Sequence, residues 1–153
     1  MKEKILISAC LTGENCRYDG KNCLKKDILA LSKYYDMIPI CPEVSGGMKT
    51  PRFPSEIKNG SVINAKGKDV TDFYHDGAYW ASSIVRIYNI KLAILKEKSP
   101  SCGVHFIHSG NFDGKVIEGK GITTQRLEKL GVKVINEEEA LDLLKELESK
   151  ETK

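Results

Sequence analysis

The chain has 153 residues, of which 41% are hydrophobic and 29% are charged, and its formal net charge is +3. This composition is typical of a globular protein and excludes a disordered or fibrous chain. The length fits one domain, predicted at residues 1–150 with a tail at 151–153. No apolar run is long enough to cross a membrane and no signal-peptide pattern is present, so we expect a cytoplasmic location. The mild charge argues against a dedicated nucleic-acid binder.

The first half of the chain alternates between short apolar runs and polar loops. A strand is predicted at 5–7 and ends near Cys10. A loop follows at 15–22, because Asp-Gly at 19–20 favours a turn. Apolar residues near helical spacing predict a helix at 23–35, and a second strand at 37–40 leads directly into Cys41.

The middle of the chain is predicted to contain a loop, a hairpin and a long helix. Two glycines and three prolines indicate that 41–56 has no regular structure. Asn-Gly at 59–60 predicts a hairpin turn. Thr71 is expected to cap a helix that extends to Tyr88 with an apolar stripe that includes Trp80. A strand at 91–95 follows.

The last third is predicted to contain a turn at 112–115, a short helix from 123 to 131 and a strand at 132–135. Asn136, with Glu139 three residues later, is typical of a capping box that starts the final helix. Because strands and helices alternate, we predict an α/β protein with a single-domain, three-layer, Rossmann-like fold and a mostly parallel sheet.

Three of the five cysteines follow predicted strands, namely Cys10, Cys41 and Cys102. In an open α/β sheet, ligands bind beyond the carboxyl ends of the strands, so we expect these thiols to form one site. An odd number of cysteines in an intracellular chain favours reduced thiols over disulfides. Three thiolates around a metal leave one position open to a substrate. Their wide spacing matches no compact metal-binding signature, so buried inert cysteines are the alternative.

Five short segments, in this order, resemble a small prokaryotic family whose characterised members are thiouracil desulfidases. The resemblance covers residues 5 to about 139. The segments are SACLTG (8–13), RYDG (17–20), CPE (41–43), TPR (50–52) and SPSCG (99–103).

The resemblance implies a [4Fe-4S] cluster held by Cys10, Cys41 and Cys102. The unligated iron would bind the thiocarbonyl sulfur of a thiolated pyrimidine and act as a Lewis acid. Water would then attack the C=S carbon and sulfide would leave, with no net redox change. The implied substrate is 2- or 4-thiouracil or its nucleoside. Oligomeric state is left open.

The family's pattern also implies catalytic roles for Glu43 and Ser99, as acid/base and hydrogen-bonding partners. Ser101 is a plausible second donor beside Cys102. Each has a structural alternative: Glu43 could cap a helix or pair with an arginine, and the two serines could be turn residues.

Three further residues are candidates for substrate binding. Arg17 and Asp19 could hydrogen-bond the uracil ring, although an ion pair that fixes the loop is an equal alternative. Arg52, between two prolines, could bind substrate or brace its loop.

Two cysteines and three histidines receive no catalytic role. Cys16 is interpreted as a spectator, with a fourth cluster ligand or an oxidative partner of Cys10 as alternatives. Cys23 begins a predicted helix, whose dipole would lower its pKa, but nothing else marks it. Surface or structural roles are favoured for the histidines, which are His75, His105 and His108.

Rival functions remain open. The main alternative is a non-catalytic iron–sulfur or zinc module that senses metal or redox state. A thiol phosphatase is disfavoured, because six residues separate Cys10 from Arg17, whereas its phosphate loop has five. A thiolated base within tRNA is a further candidate substrate, and the low net charge favours a free base or nucleoside over it.

Overall fold

The computed structural model describes residues 2–151, which form a parallel sheet between two layers of helices. In chain order the strands are β1 (Glu3–Ser8), β2 (Tyr35–Ile40), β3 (Ser55–Lys58), β4 (Ser61–Asn64), β5 (Leu92–Ile94), β6 (Phe106–His108), β7 (Val116–Glu118) and β8 (Lys133–Ile135). The helices are α1 (Lys26–Leu29), α2 (Pro42–Ser45), α3 (Thr71–Tyr88), α4 (Ile122–Lys129) and α5 (Glu137–Glu151).

The main sheet has the strand order β2-β1-β5-β8, and each neighbouring pair is parallel. Alternate residues of β1 point to opposite faces, as strand geometry requires. Ile5 and Ile7 pack with residues of α1 and α5, whereas Leu6 packs with residues of α3 and α4. The predicted α/β, three-layer architecture with a parallel sheet is therefore confirmed.

Two antiparallel hairpins lie outside this sheet. The predicted turn at 59–60 connects β3 to β4, and the predicted turn at 112–115 lies between β6 and β7. The strands β6 and β7 themselves were not predicted, because neither has the run of buried apolar residues that β5 and β8 have.

Two predictions for the segments beside β2 are wrong. The helix expected at 23–35 is only one α-helical turn, α1, followed by a 3-10 turn at Ala30–Lys33, and β2 already begins at Tyr35. The segment 41–56, expected to lack regular structure, contains the helix α2. Pro42 occupies its first turn, where a missing N–H costs nothing and the fixed φ favours the helix.

The long helix α3 begins at Thr71 as predicted, but Thr71 does not cap it. The Asp69 carboxylate accepts the Thr71 N–H at 2.9 Å, while the Thr71 hydroxyl accepts the Val62 N–H at 2.9 Å. The buried face includes Tyr74, whereas Trp80 of the predicted stripe is 54% exposed.

The capping box of the last helix is confirmed. The Asn136 N–H donates to the Glu139 carboxylate at 3.0 Å, and the Glu139 N–H donates to the Asn136 side chain at 2.9 Å. Residue 151 of the predicted tail is the last residue of α5, and residues 152–153 lie outside the described residues. Within residues 2–151, no helix combines the length and apolar character needed to cross a membrane.

Helices α2 and α3 touch through two glycines. A Cβ atom added at Gly77 of α3 would collide with the Pro42 carbonyl group, and one added at Gly46 would collide with the Phe73 carbonyl oxygen. Because only hydrogen fits at both positions, the two backbones are in direct contact. This contact fixes α2, which follows Cys41, against α3.

Candidate active site

The carboxyl ends of β1, β2 and β5 bring the three predicted ligand cysteines to one cavity of about 480 Å³. Cys10 lies in the 3-10 turn Ala9–Thr12 directly after β1. Cys41 is the residue before α2. Cys102 lies in the loop between β5 and β6 and is 5% exposed. The expectation that three separate strands deliver their thiols to one edge agrees with this geometry.

The other two cysteines, Cys16 and Cys23, line the same cavity. The sequence had left a cluster-ligand role for Cys16 open as an alternative and had indicated no role for Cys23. Hydrogen bonds from the Cys10 and Cys41 thiols lower the pKa of Cys16 to about 3. The same contacts raise the pKa values of Cys10 and Cys41. A hydrogen bond from Cys10, with a smaller contribution from a nearby guanidinium, lowers the pKa of Cys23 to about 6. The thiols therefore form one coupled set, in which negative charge is favoured at Cys16 and Cys23 and disfavoured at Cys10 and Cys41.

The thiol of Cys102 lies at the cavity wall beside two serine hydroxyls. Burial raises its pKa to about 11, and hydrogen bonds with Ser8 and Ser101 partly offset that rise. The Ser101 hydroxyl is 3.6 Å from the Cys102 sulfur and 3.2 Å from the Thr123 hydroxyl. Ser101 is 1% exposed and is not among the residues that line the cavity. The structure thus places Ser101 behind the thiol.

Glu43, in the first turn of α2, lies at the cavity wall and is held by two donors. Its Oε1 accepts hydrogen bonds from Arg52 Nε at 3.0 Å and from the Tyr74 hydroxyl at 2.9 Å. The Glu43 and Arg52 side chains are 13% and 7% exposed, so the ion pair is largely shielded from water. Burial, followed by the Glu43 charge, raises the pKa of Tyr74, which keeps its hydroxyl protonated.

Arg52 braces the surrounding loops as well. Its Nη2 donates to the Cys16 carbonyl oxygen at 2.8 Å, and its Nη1 donates to the Thr50 hydroxyl at 3.1 Å. Arg52 therefore lies at the cavity, where it could reach a substrate, and its observed contacts brace the surrounding loops.

Ser99 lines the cavity and shapes the loop that carries Cys102. Its hydroxyl oxygen accepts the N–H groups of Ser101 and Cys102, each at 3.1 Å. Because an oxygen that accepts through its lone pairs keeps its own O–H, Ser99 still has a proton to donate.

Arg17 lies at the cavity wall, whereas Asp19 is not among the lining residues. The Arg17 Nη2 is 3.2 Å from Asp19 Oδ2, and its Nη1 donates to the Cys23 sulfur at 3.3 Å. Of the predicted pair, only the arginine faces the ligand space, and Asp19 acts on it through the ion pair.

The donor set fits an iron–sulfur cluster. Within residues 2–151, no three His, Cys, Asp or Glu side chains are close enough together to hold a single metal ion. A cluster of four irons is larger than one ion, so its ligands lie farther apart around a shared space. Three thiols at the wall of one cavity, with serine hydroxyls near Cys102, supply the thiolate ligands and the hydrogen bonds that such clusters use.

Comparison with known proteins identifies the family. A model of the family described as 2-thiouracil desulfurase matches residues 5–139. The chain belongs to this family. It is 40% identical to the uncharacterized protein YbbK of Bacillus subtilis strain 168, over 92% of this chain and 99% of that one. A solved structure of the [4Fe-4S]-dependent thiouracil desulfidase TudS aligns with a TM-score of 0.88 and 39% identity, over 96% of this chain and 99% of that chain.

These comparisons confirm the family that the five segments indicated. Sequence reasoning missed Tyr74, although its spacing from Ala78 and Ala81 on α3 is that of a buried helical stripe. It also missed Lys96 and Glu97, two charged residues that follow β5 at the carboxyl edge of the sheet and line the cavity.

The histidines differ among themselves. His105 binds Glu139 at 2.9 Å with both side chains almost half exposed, and His75 is exposed, as expected for surface roles. His108 instead lines the cavity, and its Nδ1 is buried without a hydrogen-bond partner in the described part of the chain.

Proposed function

We propose that this protein is a hydrolytic desulfidase that converts 2- or 4-thiouracil, or the corresponding nucleoside, to uracil or its nucleoside and sulfide. The observation that carries the proposal is the convergence of Cys10, Cys41 and Cys102 on one cavity beside Glu43, in a member of the 2-thiouracil desulfurase family. The fit of the chain to TudS over nearly its full length supports the same activity.

Cys10, Cys41 and Cys102 would hold the [4Fe-4S] cluster on which the similar TudS depends. When bound, such a cluster supplies one iron without a protein ligand, a Lewis acid for the thiocarbonyl sulfur. The Ser8 and Ser101 hydroxyls would stabilise the Cys102 thiolate, because a hydrogen bond to the charged form favours it.

Glu43 would act as the general base and then the general acid. Arg52 and Tyr74 both donate to Oε1, which fixes the plane of the carboxylate and leaves Oε2 to receive the proton of an attacking water. The captured proton would then go to the departing sulfide.

Ser99 would orient the pyrimidine ring. Its oxygen is held by two backbone N–H groups, which restricts the direction of the remaining O–H, and Ser99 lines the cavity. Arg17, also at the cavity wall, would add a charged donor for a ring or sugar oxygen.

The test is anaerobic reconstitution with iron and sulfide, followed by a visible spectrum and a sulfide-release assay. The substrate panel contains 2-thiouracil, 4-thiouracil, their nucleosides and a 4-thiouridine-containing tRNA. We expect cluster absorption and sulfide release from at least one free base or nucleoside. A protein that carries the cluster and releases sulfide from no member of the panel would contradict the proposal and favour a non-catalytic iron–sulfur module. Release from the tRNA alone would contradict the free-base assignment.

A further inference from the structure

Cys16 is a buried residue at the wall of the cavity that contains the three proposed ligand cysteines. It is 9% exposed, it lines the cavity, and it sits on the loop that connects Gly13 to α1. Its neighbours are the three cysteines that the proposed function assigns to the cluster. The Cys41 sulfur lies 3.7 Å from the Cys16 carbonyl oxygen, and the Cys16 side chain interacts electrostatically with Cys10, Cys41 and Cys102.

Cys23 provides an internal comparison. It lines the same cavity, and of the three assigned ligands it hydrogen-bonds only Cys10. Its other close partner is the Arg17 guanidinium, 3.3 Å from its sulfur, at the cavity wall. Cys16 therefore interacts with all three assigned ligands, whereas the strongest partners of Cys23 are Cys10 and Arg17.

The backbone of Cys16 is held in place without using its thiol. Its carbonyl oxygen accepts a hydrogen bond from Arg52 Nη2 at 2.8 Å, and the Cys41 sulfur lies 3.7 Å from the same oxygen. Its N–H donates to the Glu14 carbonyl at 2.9 Å. Rotation about the Cα–Cβ bond alone can therefore move the sulfur toward or away from the centre of the cavity.

We propose that Cys16 is a displaceable fourth thiolate ligand of the cluster, which covers the substrate-binding iron until a thiolated pyrimidine replaces it. This inference rests on the proposed function, since it assumes the three-cysteine cluster. In the exchange, the iron–sulfur bond to Cys16 breaks and a bond to the thiocarbonyl sulfur forms. The departing thiolate keeps its electron pair, so no oxidant or reductant is required.

The covering thiolate has a physical consequence. An iron with an open position is the one that oxidants remove first, so a fourth sulfur ligand slows its loss. The same ligand competes with substrate for the iron. The iron is therefore free to bind substrate for only part of the time, which raises KM. One residue therefore exchanges some substrate affinity for protection of the cluster.

The experiment compares wild type, Cys16→Ser and Cys16→Ala with the matched control Cys23→Ser. Each protein is reconstituted anaerobically, its iron and sulfide are counted, and it is then treated with one equivalent of ferricyanide. The conversion of [4Fe-4S] to [3Fe-4S] is followed by electron paramagnetic resonance. We expect both Cys16 variants to lose the fourth iron about tenfold faster than wild type, and to show a correspondingly lower KM for 2-thiouracil. Cys23→Ser should lose iron at the wild-type rate.

Equal rates of iron loss in wild type and the Cys16 variants would overturn the inference while leaving the desulfidase function intact, provided that wild type releases sulfide. Equal acceleration in Cys23→Ser would also overturn it, because the effect would then report a general disturbance of the cavity. A wild-type protein that assembles no cluster under these conditions would overturn both this inference and the proposed function.

Discussion

Two walls of the cavity are built in opposite ways. The loop after β5 is held by a dense set of hydrogen bonds to one carboxylate. Glu97 Oε1 accepts the N–H groups of Val104, His105 and Phe106 at 2.7 to 3.0 Å. The loop after β1, residues 13–25, instead carries partly exposed side chains, and Tyr18 is 41% exposed.

The difference separates two tasks. The wall that contains Cys102 must hold a buried ligand at a fixed place, and a carboxylate that accepts several N–H groups provides that rigidity. The wall that contains Arg17 has left-handed glycines at residues 13 and 20. We infer that the first wall fixes the cofactor and the second adapts to the substrate.

The largest effect is expected from Cys102→Ala. Removing a thiol from the rigid wall should abolish cluster assembly and lower sulfide release by roughly a thousandfold or more, about 4 kcal/mol in the barrier. Iron content and the visible spectrum after anaerobic reconstitution measure the loss. A Cys102→Ala protein that still binds four irons would show that this wall does not hold the cofactor.

Glu43→Gln should lower kcat by about a hundredfold to ten-thousandfold, the usual contribution of a general base. The iron content should stay at the wild-type value, because the amide oxygen of the substituted side chain can still accept a hydrogen bond from Tyr74. Steady-state sulfide release gives kcat, and Tyr74→Phe is the matched variant that keeps the carboxylate. Should Glu43→Gln turn over at the wild-type rate with a full cluster, the proton-transfer role would be excluded.

Glu97→Gln should weaken the rigid wall, lowering the free energy of unfolding at neutral pH by roughly 1–2 kcal/mol, a value reduced for partial exposure. Burial by itself raises the pKa of Glu97, but hydrogen bonds from Asn136 and from the backbone outweigh it and lower the pKa below its usual value.

The sign of the pH dependence follows from that lowered pKa. A carboxylate with a depressed folded-state pKa contributes stability above its unfolded pKa of about 4.3, and loses it as the pH falls through the folded value. Thermal unfolding by circular dichroism should therefore show a gap between wild type and Glu97→Gln at pH 7 that shrinks below about pH 4. A constant gap would mean that the ionised carboxylate is not what stabilises the loop.

The smallest effect is expected from Asp19→Asn in the adaptable wall. The partly exposed ion pair with Arg17 is worth less than about 1 kcal/mol, so KM for 2-thiouracil should rise by about twofold to fivefold with kcat unchanged. A lower kcat with KM unchanged would instead place this pair in the chemical step. Steady-state kinetics on the loaded protein distinguishes the two results.

The sequence predicted the parts of the fold and the site that depend on local pattern. The apolar run of β1 ends at Cys10, and the carboxyl-edge rule for parallel sheets brings Cys10, Cys41 and Cys102 together. The one-turn helix α2 was missed because proline was taken as a breaker, although the first helical turn accepts it.

The contacts that could not be predicted join residues far apart in the chain or involve the backbone. Tyr74 reaches Glu43 across 31 positions, and no spacing rule connects them. Glu97 binds N–H groups, which every residue except proline carries, so the side chains at 104–106 give no sign of the interaction. Cys16 was interpreted as a spectator, and its loop has no periodicity from which the direction of its thiol could be predicted.

The glycine contact between α2 and α3 makes the position of Glu43, the proposed general base, sensitive to the addition of a single methyl group. Gly77 and Gly46 let the two helix backbones touch, and Glu43 on α2 meets Tyr74 on α3. An alanine at position 77 adds one methyl group, alters no charge and deletes no hydrogen bond, yet it has to push α2 outward with Glu43 upon it. The distance between the Glu43 carboxylate and the Tyr74 hydroxyl thus depends on position 77 having no side chain larger than a hydrogen atom.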